Sequence, residues 1–522
     1  MTTIRSLIDS RAAQTPADVF LVAAETGAEV SWADLQAAAD EVEHRLTALG
    51  IAPGEKVAFL MENGRATALL FLAIMYSGRV VVPLNAVTGD DQLRYVVEHA
   101  DTALLIASPA YLARARQLLV DLDPAPAVVE CDEDGWPQWP ASAGASAAPT
   151  PPPQAHTDAL LIYTSGTTGR PKGVVHTHRS VIAGGHNTVE AHHLTAADRG
   201  LCVLPLYHIN AEIVTVVAPL VSGGSVVMPR RFSASAFWEL MARHRCSWFS
   251  VVPTIIAYLL DRAEIDSERV RSDPALQSIR FGRSASSALA PSTHRAFEAA
   301  FGIPIVETMG LSETAAQILS NPMPPFEGKY GSPGIPYGNE VRIMDEQGRL
   351  LGPDEPGELV VRGDNVMRAY YKNPEASAET ITAEGWLRTG DLGYQDAEGF
   401  FFVTGRLKEL IIKGGENIAP REIDEVLVRH PAVLEAAAFA VADERYGQEV
   451  MACVVPRERG HCDGAELHAF CIEHLGTFRA PREVHVVEWL PKGPSGKVQR
   501  LKVAAMLETL REKPEEAVCS SR

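Results

Sequence analysis

Residues 163–173 read YTSGTTGRPKG and follow the apolar run Ala159-Leu160-Leu161-Ile162 without a break. A strand that ends in so dense a cluster of Ser, Thr and Gly is suited to wrapping an anion. Glycines let backbone N–H groups approach an oxygen closely. The hydroxyls of Thr164, Ser165, Thr167 and Thr168 add donors, and Lys172 adds a charge. The Walker loop is a different solution to the same problem, and its GK[ST] ending is absent here.

Working outward, short apolar runs alternate with amphipathic helical stretches over most of the first 400 residues. The run at 56–61 (KVAFLM) precedes a helical stretch at 64–78, and 103–107 (ALLIA) precedes another at 109–122. This alternation predicts β-α units on a mainly parallel sheet, hence an α/β fold. Residues 340–363 alternate instead, with turns expected at Gln347-Gly348 and Pro356-Gly357, and read as antiparallel strands. A boundary is expected near Thr404-Gly405-Arg406, followed by a compact α+β segment. Residues 141–153 (ASAGASAAPTPPP) read as a solvated connecting loop.

The chain has 522 residues, more than one core serves, and its composition of 46% hydrophobic and 22% charged residues is that of a globular protein. The formal net charge of -19 disfavours nucleic acid and anionic membrane as partners. Seven cysteines without CxxC pairs argue against a zinc site or a disulfide framework and fit a reducing cytosol. The first residues carry no signal-peptide pattern, and the longest apolar stretches, near 68–76 and 213–221, fall short of the roughly 20 residues that span a bilayer. A cytoplasmic location and a monomer or homodimer are the expectations.

Further segments share the phosphate loop's chemical character. Residues 307–313 read ETMGLSE, 387–392 LRTGDL, 404–425 TGRLKELIIKGGENIAPREIDE and 491–500 PKGPSGKVQR. Together, in this order and over essentially the whole chain, they resemble the adenylate-forming superfamily of acyl-CoA synthetases, firefly luciferase and peptide-synthetase adenylation domains. The resemblance implies a large N-terminal domain (1–404) of stacked, mainly parallel sheets with helices, its 340–404 part β-rich and barrel-like. A small, mobile α+β domain (405–522) follows.

The same resemblance assigns roles. Thr164, Ser165, Gly166, Thr167, Thr168, Gly169 and Lys172 would hold the phosphates of ATP. Glu313, with Thr164, would bind Mg²⁺ bridging them, a hard oxygen ligand beside a phosphate cradle. Met309 and Gly310 would face the adenine, with Met309 standing where the family usually has an aromatic residue; a thioether can pack on a purine face. Asp391 would accept from the ribose hydroxyls and Arg406 would contact ribose and phosphate. Lys408 would be the hinge between domains, and Gly414 and Gly415 would belong to a strand lining the pantetheine tunnel of coenzyme A. Lys497 would reach the carboxylate and α-phosphate as the adenylate forms.

The acid pocket is expected around His208 in 204–210 (LPLYHIN), with Asn210 and Glu212 beyond it, and around Ala285 and Ser286 in 279–289 (IRFGRSASSAL). Ala285 fills volume where glycine is usual, which argues against a long acyl chain. The segments at 232–238, 247–255 and 320–325 resemble the oxalate–CoA ligase-like, small-acid branch. Glu212 is expected to begin a helix against the pocket. There it either turns to water, meets a cationic or amino group of the substrate, or pairs with an arginine such as Arg283. The implied reaction is ATP-dependent activation of a small carboxylic acid and transfer to coenzyme A. The alternative acceptor is a carrier-protein thiol or an amine, with nitrite activation as a variant.

Overall fold

In the computed structural model, which describes residues 2–140, 151–164, 170–457, 462–492 and 498–512, the apolar runs form the inner strands of two sheets. Lys56–Leu60 pairs in parallel with both Val80–Pro83 and Thr102–Ala107. Ala127–Glu130 extends one side in parallel, and Asp158–Thr164 extends the other. Lys172–Thr177 and then Ala369–Tyr370 close that edge antiparallel, giving seven strands. Along Lys56–Leu60, Val57 and Phe59 join one apolar layer while Ala58 and Leu60 join another. Burial on both faces is why these strands are continuous apolar runs and not alternating ones.

The second sheet has nine strands, with Trp248–Val251, Phe281–Ser284 and the first half of Ile305–Leu311 parallel at its centre. Ile305–Leu311 then turns back as a hairpin on Ala316–Ser320. Helix Arg65–Tyr76 is buried from Ala66 through Tyr76, on every side. A helix apolar all round belongs between layers. The helical stretch expected over 109–122 is shorter, Leu112–Leu118.

The chain divides into two compact units. One comprises Met1–Leu289, Thr293–Val341 and Val361–Arg388; the other comprises Ala290–Ser292, Arg342–Val360 and Thr389–Arg522. A four-stranded sheet is made from Glu340–Met344, Gly357–Arg362, Leu387–Gln395 and Phe401–Arg406, most of its residues belonging to the second unit. The turn expected at Pro356-Gly357 lies earlier, at Pro353-Asp354, and Gly357 opens the strand. A second sheet follows, built on the long hairpin of Val433–Asp443 and Gly447–Pro456. Helix Pro420–Arg429 lays Ile423, Val426 and Leu427 against that hairpin's apolar layer, the face its amphipathic pattern predicts.

Candidate active site

The phosphate-loop sequence closes an antiparallel hairpin. Thr164, the last residue of Asp158–Thr164, is in register with Lys172, the first of Lys172–Thr177. Both ends of the loop are therefore held at cross-strand distance by a sheet buried on both faces. Ser165, Gly166, Thr167, Thr168 and Gly169 lie outside the described residues. Lys172 Nζ stands 4.7 Å over the ring of Tyr370. The Tyr370 hydroxyl donates to Glu313 Oε1 at 2.9 Å. One tyrosine thus links the lysine and the carboxylate singled out from the sequence.

Glu313 lies in the single 3₁₀ turn Ser312–Thr314. His176, on the strand that begins with Lys172, is fully buried, and burial pushes its pKa down to about 4. Its neutral ring places Nε2 2.6 Å from the Ser312 carbonyl, which fastens the Glu313 turn to the lysine's strand. Two residues earlier, the hairpin carries a bulge between Met309 and Gly310. A Cβ on Gly310 would lie 1.9 Å from the Ala316 carbonyl oxygen, so only glycine fits there. Met309 and Gly310 are both half-buried at the end of the strand. Glu313 and the Thr164 hydroxyl fit Mg²⁺, which takes one or two protein oxygens and completes its octahedron with phosphate and water. Among the described residues no cluster of three His, Cys, Asp or Glu side chains suggests another metal site.

The acid-pocket candidates gather at the C-terminal ends of the nine-stranded sheet's strands. His208 is half-buried, its ring edge-on to Tyr207 at 4.7 Å between centroids. The next segment is not an ordinary α-helix. Asn210–Val217 is a π-helix, all eight residues buried, ending with Ala218 N–H bonded to the Ile213 carbonyl five residues back. Pro219 follows at once; it cannot donate a backbone hydrogen bond, and a wider turn ahead of it relieves the clash of its ring. Ala285 is buried, whereas Ser286 is half-buried with φ at 72°, a left-handed conformation that turns the chain out of the strand.

Asn210 organises this wall. Its Nδ2 donates to Ser286 Oγ at 3.4 Å, and its Oδ1 accepts from Ser250 Oγ at 3.2 Å and Arg283 Nη1 at 2.8 Å. Arg283 is fully buried, and its other bonds go to Ser250 Oγ and, through Nε, to Gln317 Oε1. The pairing of Arg283 with Glu212 that the sequence leaves open does not occur. Glu212 is also fully buried, and neither carboxyl oxygen has a hydrogen-bond partner among the described residues. Burial without compensation pushes its pKa well up and so favours the neutral acid.

The second unit carries the remaining candidates. Asp391 and Arg406 face each other across Leu387–Gln395 and Phe401–Arg406 and form an ion pair. Lys408 lies exposed in the single turn Leu407–Glu409. Gly414 and Gly415 do not belong to a strand. They are the two-residue turn between Ile411–Lys413 and Glu416–Ile418, with φ of 59° and 89°. Two positive φ values in a two-residue hairpin account for both glycines. Lys497 lies outside the described residues. Three residues on, Arg500 is half-buried and bonded to Glu409 Oε2 at 3.1 Å and Asp424 Oδ2 at 2.5 Å, tying the segment after Lys497 to the residue after Lys408.

Tyr370 and the bonding of Arg283 escaped the sequence reading. Tyr370 is signalled only by the doublet Tyr370-Tyr371, and its value comes from an edge pairing with Lys172–Thr177 that no local pattern shows. The bonding of Arg283 is equally invisible, because its partners lie 33 to 73 residues away.

Residues 8–371 match the AMP-binding enzyme family, and residues 422–497 match its C-terminal domain. The chain is 50% identical over 506 residues to sulfoacetate–CoA ligase of Cupriavidus necator, covering 96% of this chain and 97% of that one. It is 36% identical to oxalate–CoA ligase of Arabidopsis thaliana over 87% and 89% of the two chains. Among solved structures, ATP-bound MatB of Rhodopseudomonas palustris superposes with a TM-score of 0.88 at 29% identity, covering 98% of this chain and 99% of that one.

Proposed function

The chain belongs to the AMP-binding enzyme family, and from that premise we propose that it is an acid–thiol ligase, activating a small, polar carboxylic acid with ATP and passing the acyl group to coenzyme A. In the first step a carboxylate oxygen of the acid attacks the α-phosphorus of ATP and pyrophosphate leaves. In the second the thiol sulfur attacks the acyl carbon of the adenylate and AMP leaves, the thiol proton going to solvent.

The observation that carries this reading is the linked set Lys172, Tyr370 and Glu313 beside the two ends of the phosphate hairpin. Lys172 meets the phosphates as a point charge, and Tyr370 orients the Glu313 carboxylate. Mg²⁺, when bound, neutralises charge on the pyrophosphate leaving group. Lys497 steadies charge growing at the α-phosphorus, and Asp391 and Arg406 orient the ribose. The segment after Lys408 turns between the two steps, removing Lys497 and admitting the thiol. The relatives named above act on sulfoacetate and oxalate, small acids with a second acidic group. Buried Asn210 and Ala285, beside half-buried Ser286, leave little room for a long acyl chain, which suits an acid of that size. No helix among the described residues is long and apolar enough to cross a membrane, and a cytoplasmic site of action fits the composition.

ATP–pyrophosphate exchange, measured with sulfoacetate, oxalate, malonate and acetate and then with coenzyme A added, tests the reading. Acid-dependent exchange with thioester formation only when coenzyme A is present is expected. Exchange with no acid, or acyl transfer without a thiol, would refute it.

A further inference from the structure

Two ionisable side chains are buried in the acid wall without an opposite charge. Glu212 resolves its burial by staying protonated. Arg283 cannot do the same: burial pulls its pKa down only to about 9, so it stays a cation at neutral pH. Its three bonds all go to neutral oxygens, on Asn210, Ser250 and Gln317. Nη2 has no acceptor, and the guanidinium has no carboxylate partner, among the described residues. Glu307 does not serve, because Arg283 is opposite Val306 while Ser284 is opposite Glu307, which places Glu307 on the other face of the sheet.

An isolated buried cation is costly, and leaving it uncompensated in the free enzyme makes sense where the missing anion arrives with a ligand. The bonds around Arg283 say where that ligand would be. Asn210 holds the guanidinium with its carbonyl oxygen and reaches half-buried Ser286 with its amide. Gln317, the partner of Nε, lies opposite Gly310 on the neighbouring strand. Of the three partners of Arg283, Asn210 is itself assigned to the acid pocket and Gln317 is in register with another such residue, Gly310, so the guanidinium lies directly behind the pocket's Asn210–Ser286 end. We infer that Arg283 supplies the positive charge that meets a second acidic group on the substrate, at the Asn210–Ser286 end of the pocket, and so selects small acids bearing a distal sulfonate or carboxylate over neutral ones. This rests on the ligase reading above and names the class of acid that it takes.

A pocket built this way discriminates strongly. An analogue lacking the distal charge leaves the guanidinium unpaired, and a site with an unpaired buried group rejects such analogues far more than one that merely loses a methylene. Sulfonate and carboxylate share the charge and differ in shape, so sulfoacetate and malonate serve as separate arms. Methylsulfonylacetate replaces one sulfonate oxygen with a methyl group and supplies a neutral partner of nearly the same size.

The test compares kcat/KM for ATP–pyrophosphate exchange in the wild type, Arg283→Gln and Arg283→Lys. The wild type should prefer sulfoacetate or malonate to methylsulfonylacetate by about 100-fold or more. Arg283→Gln should lower exchange with the doubly acidic substrates by a similar factor while changing the sulfone less than about fivefold, and Arg283→Lys should fall between. If Arg283→Gln does not fold, Asn210→Asp decides. That variant places a carboxylate against the guanidinium and should cancel the preference for doubly acidic substrates while raising the melting temperature. Parallel losses on charged and neutral acids, in folded protein, would overturn the role of Arg283 and leave the ligase reading intact. A wild type that exchanges with acetate but with none of the doubly acidic substrates would overturn the substrate class itself. No acid-dependent exchange at all would overturn the ligase reading on which both rest.

Discussion

Arg406 Nε donates to Asp391 Oδ1 at 2.7 Å, while Nη2 reaches Oδ2 only at 3.4 Å. The asymmetry leaves Oδ2 with most of its accepting capacity, on a carboxylate whose orientation is already fixed by its neighbour. Such an oxygen is pre-organised to take a ribose hydroxyl. Asp391→Ala should raise the KM for ATP by roughly 10- to 100-fold, the worth of one or two hydrogen bonds to a charged acceptor. Because Arg406 is half-exposed, the lost ion pair should cost little stability, under about 1 kcal/mol. ATP titrations beside thermal melts separate the two effects; a large melting shift with unchanged KM would make Asp391 a structural residue.

Tyr370→Phe removes one hydroxyl and keeps the ring beneath Lys172. The lost hydrogen bond to Glu313 should slow exchange by about 5- to 20-fold and shift the half-saturating Mg²⁺ concentration upward, while the melting temperature stays near that of the wild type. Tyr370→Leu removes the ring as well and should be the weaker enzyme. Unchanged Mg²⁺ dependence in Tyr370→Phe would show that the tyrosine does not act through Glu313.

Lys497 is proposed to serve only adenylate formation. Lys497→Ala should lower pyrophosphate exchange by about 100-fold or more, yet still convert a supplied acyl-adenylate to thioester at close to the normal rate. Equal loss in both half-reactions would count against the removal of Lys497 between the two steps.

Glu212 has a pH signature. Its pKa is raised in the folded protein, so folding is free of its burial cost at acid pH, where the unfolded chain is protonated too. Above the ordinary carboxylate value of 4.5 the unfolded chain ionises and the folded one does not, so stability is lost as pH rises. Glu212→Gln removes that term. Its melting temperature should match the wild type near pH 4 and exceed it by pH 8, by about 1–2 °C per kcal/mol in a chain of this length. A constant difference across this range would mean that the carboxyl is paired after all.

What was legible in the sequence follows from how local each signal is. The phosphate loop is written in contiguous residues whose chemistry has few other uses, whereas the bulge at Gly310 appears only in the pairing of its hairpin. The inner strands are legible because burial on both faces makes them apolar throughout. The π-helix is not. In Asn210–Val217, apolar side chains occupy both the period of an α-helix and that of a wider turn, so periodicity cannot choose between them. The fate of Glu212 was undecidable for the same reason that Arg283 was: partners chosen across 30 or more residues leave no trace in spacing. Gly414 and Gly415, expected in a strand, sit instead in a two-residue turn whose positive φ values call for glycine.

A π-helix differs from an α-helix by about one inserted residue per turn, and this one begins at Asn210. A single-codon deletion within it would let the segment relax to α-geometry. The peptide units of the wide turn would then rotate against their present neighbours, while the chain after it keeps nearly its phase. Asn210 would swing away from Ser286 and Arg283 in one genetic step, while the apolar residues after it could still find core positions. The segment is thus a place where descendants of this gene could exchange one acid for another by changing length instead of side chains. Alignments of its kin should show insertions and deletions here clustering with changes of substrate.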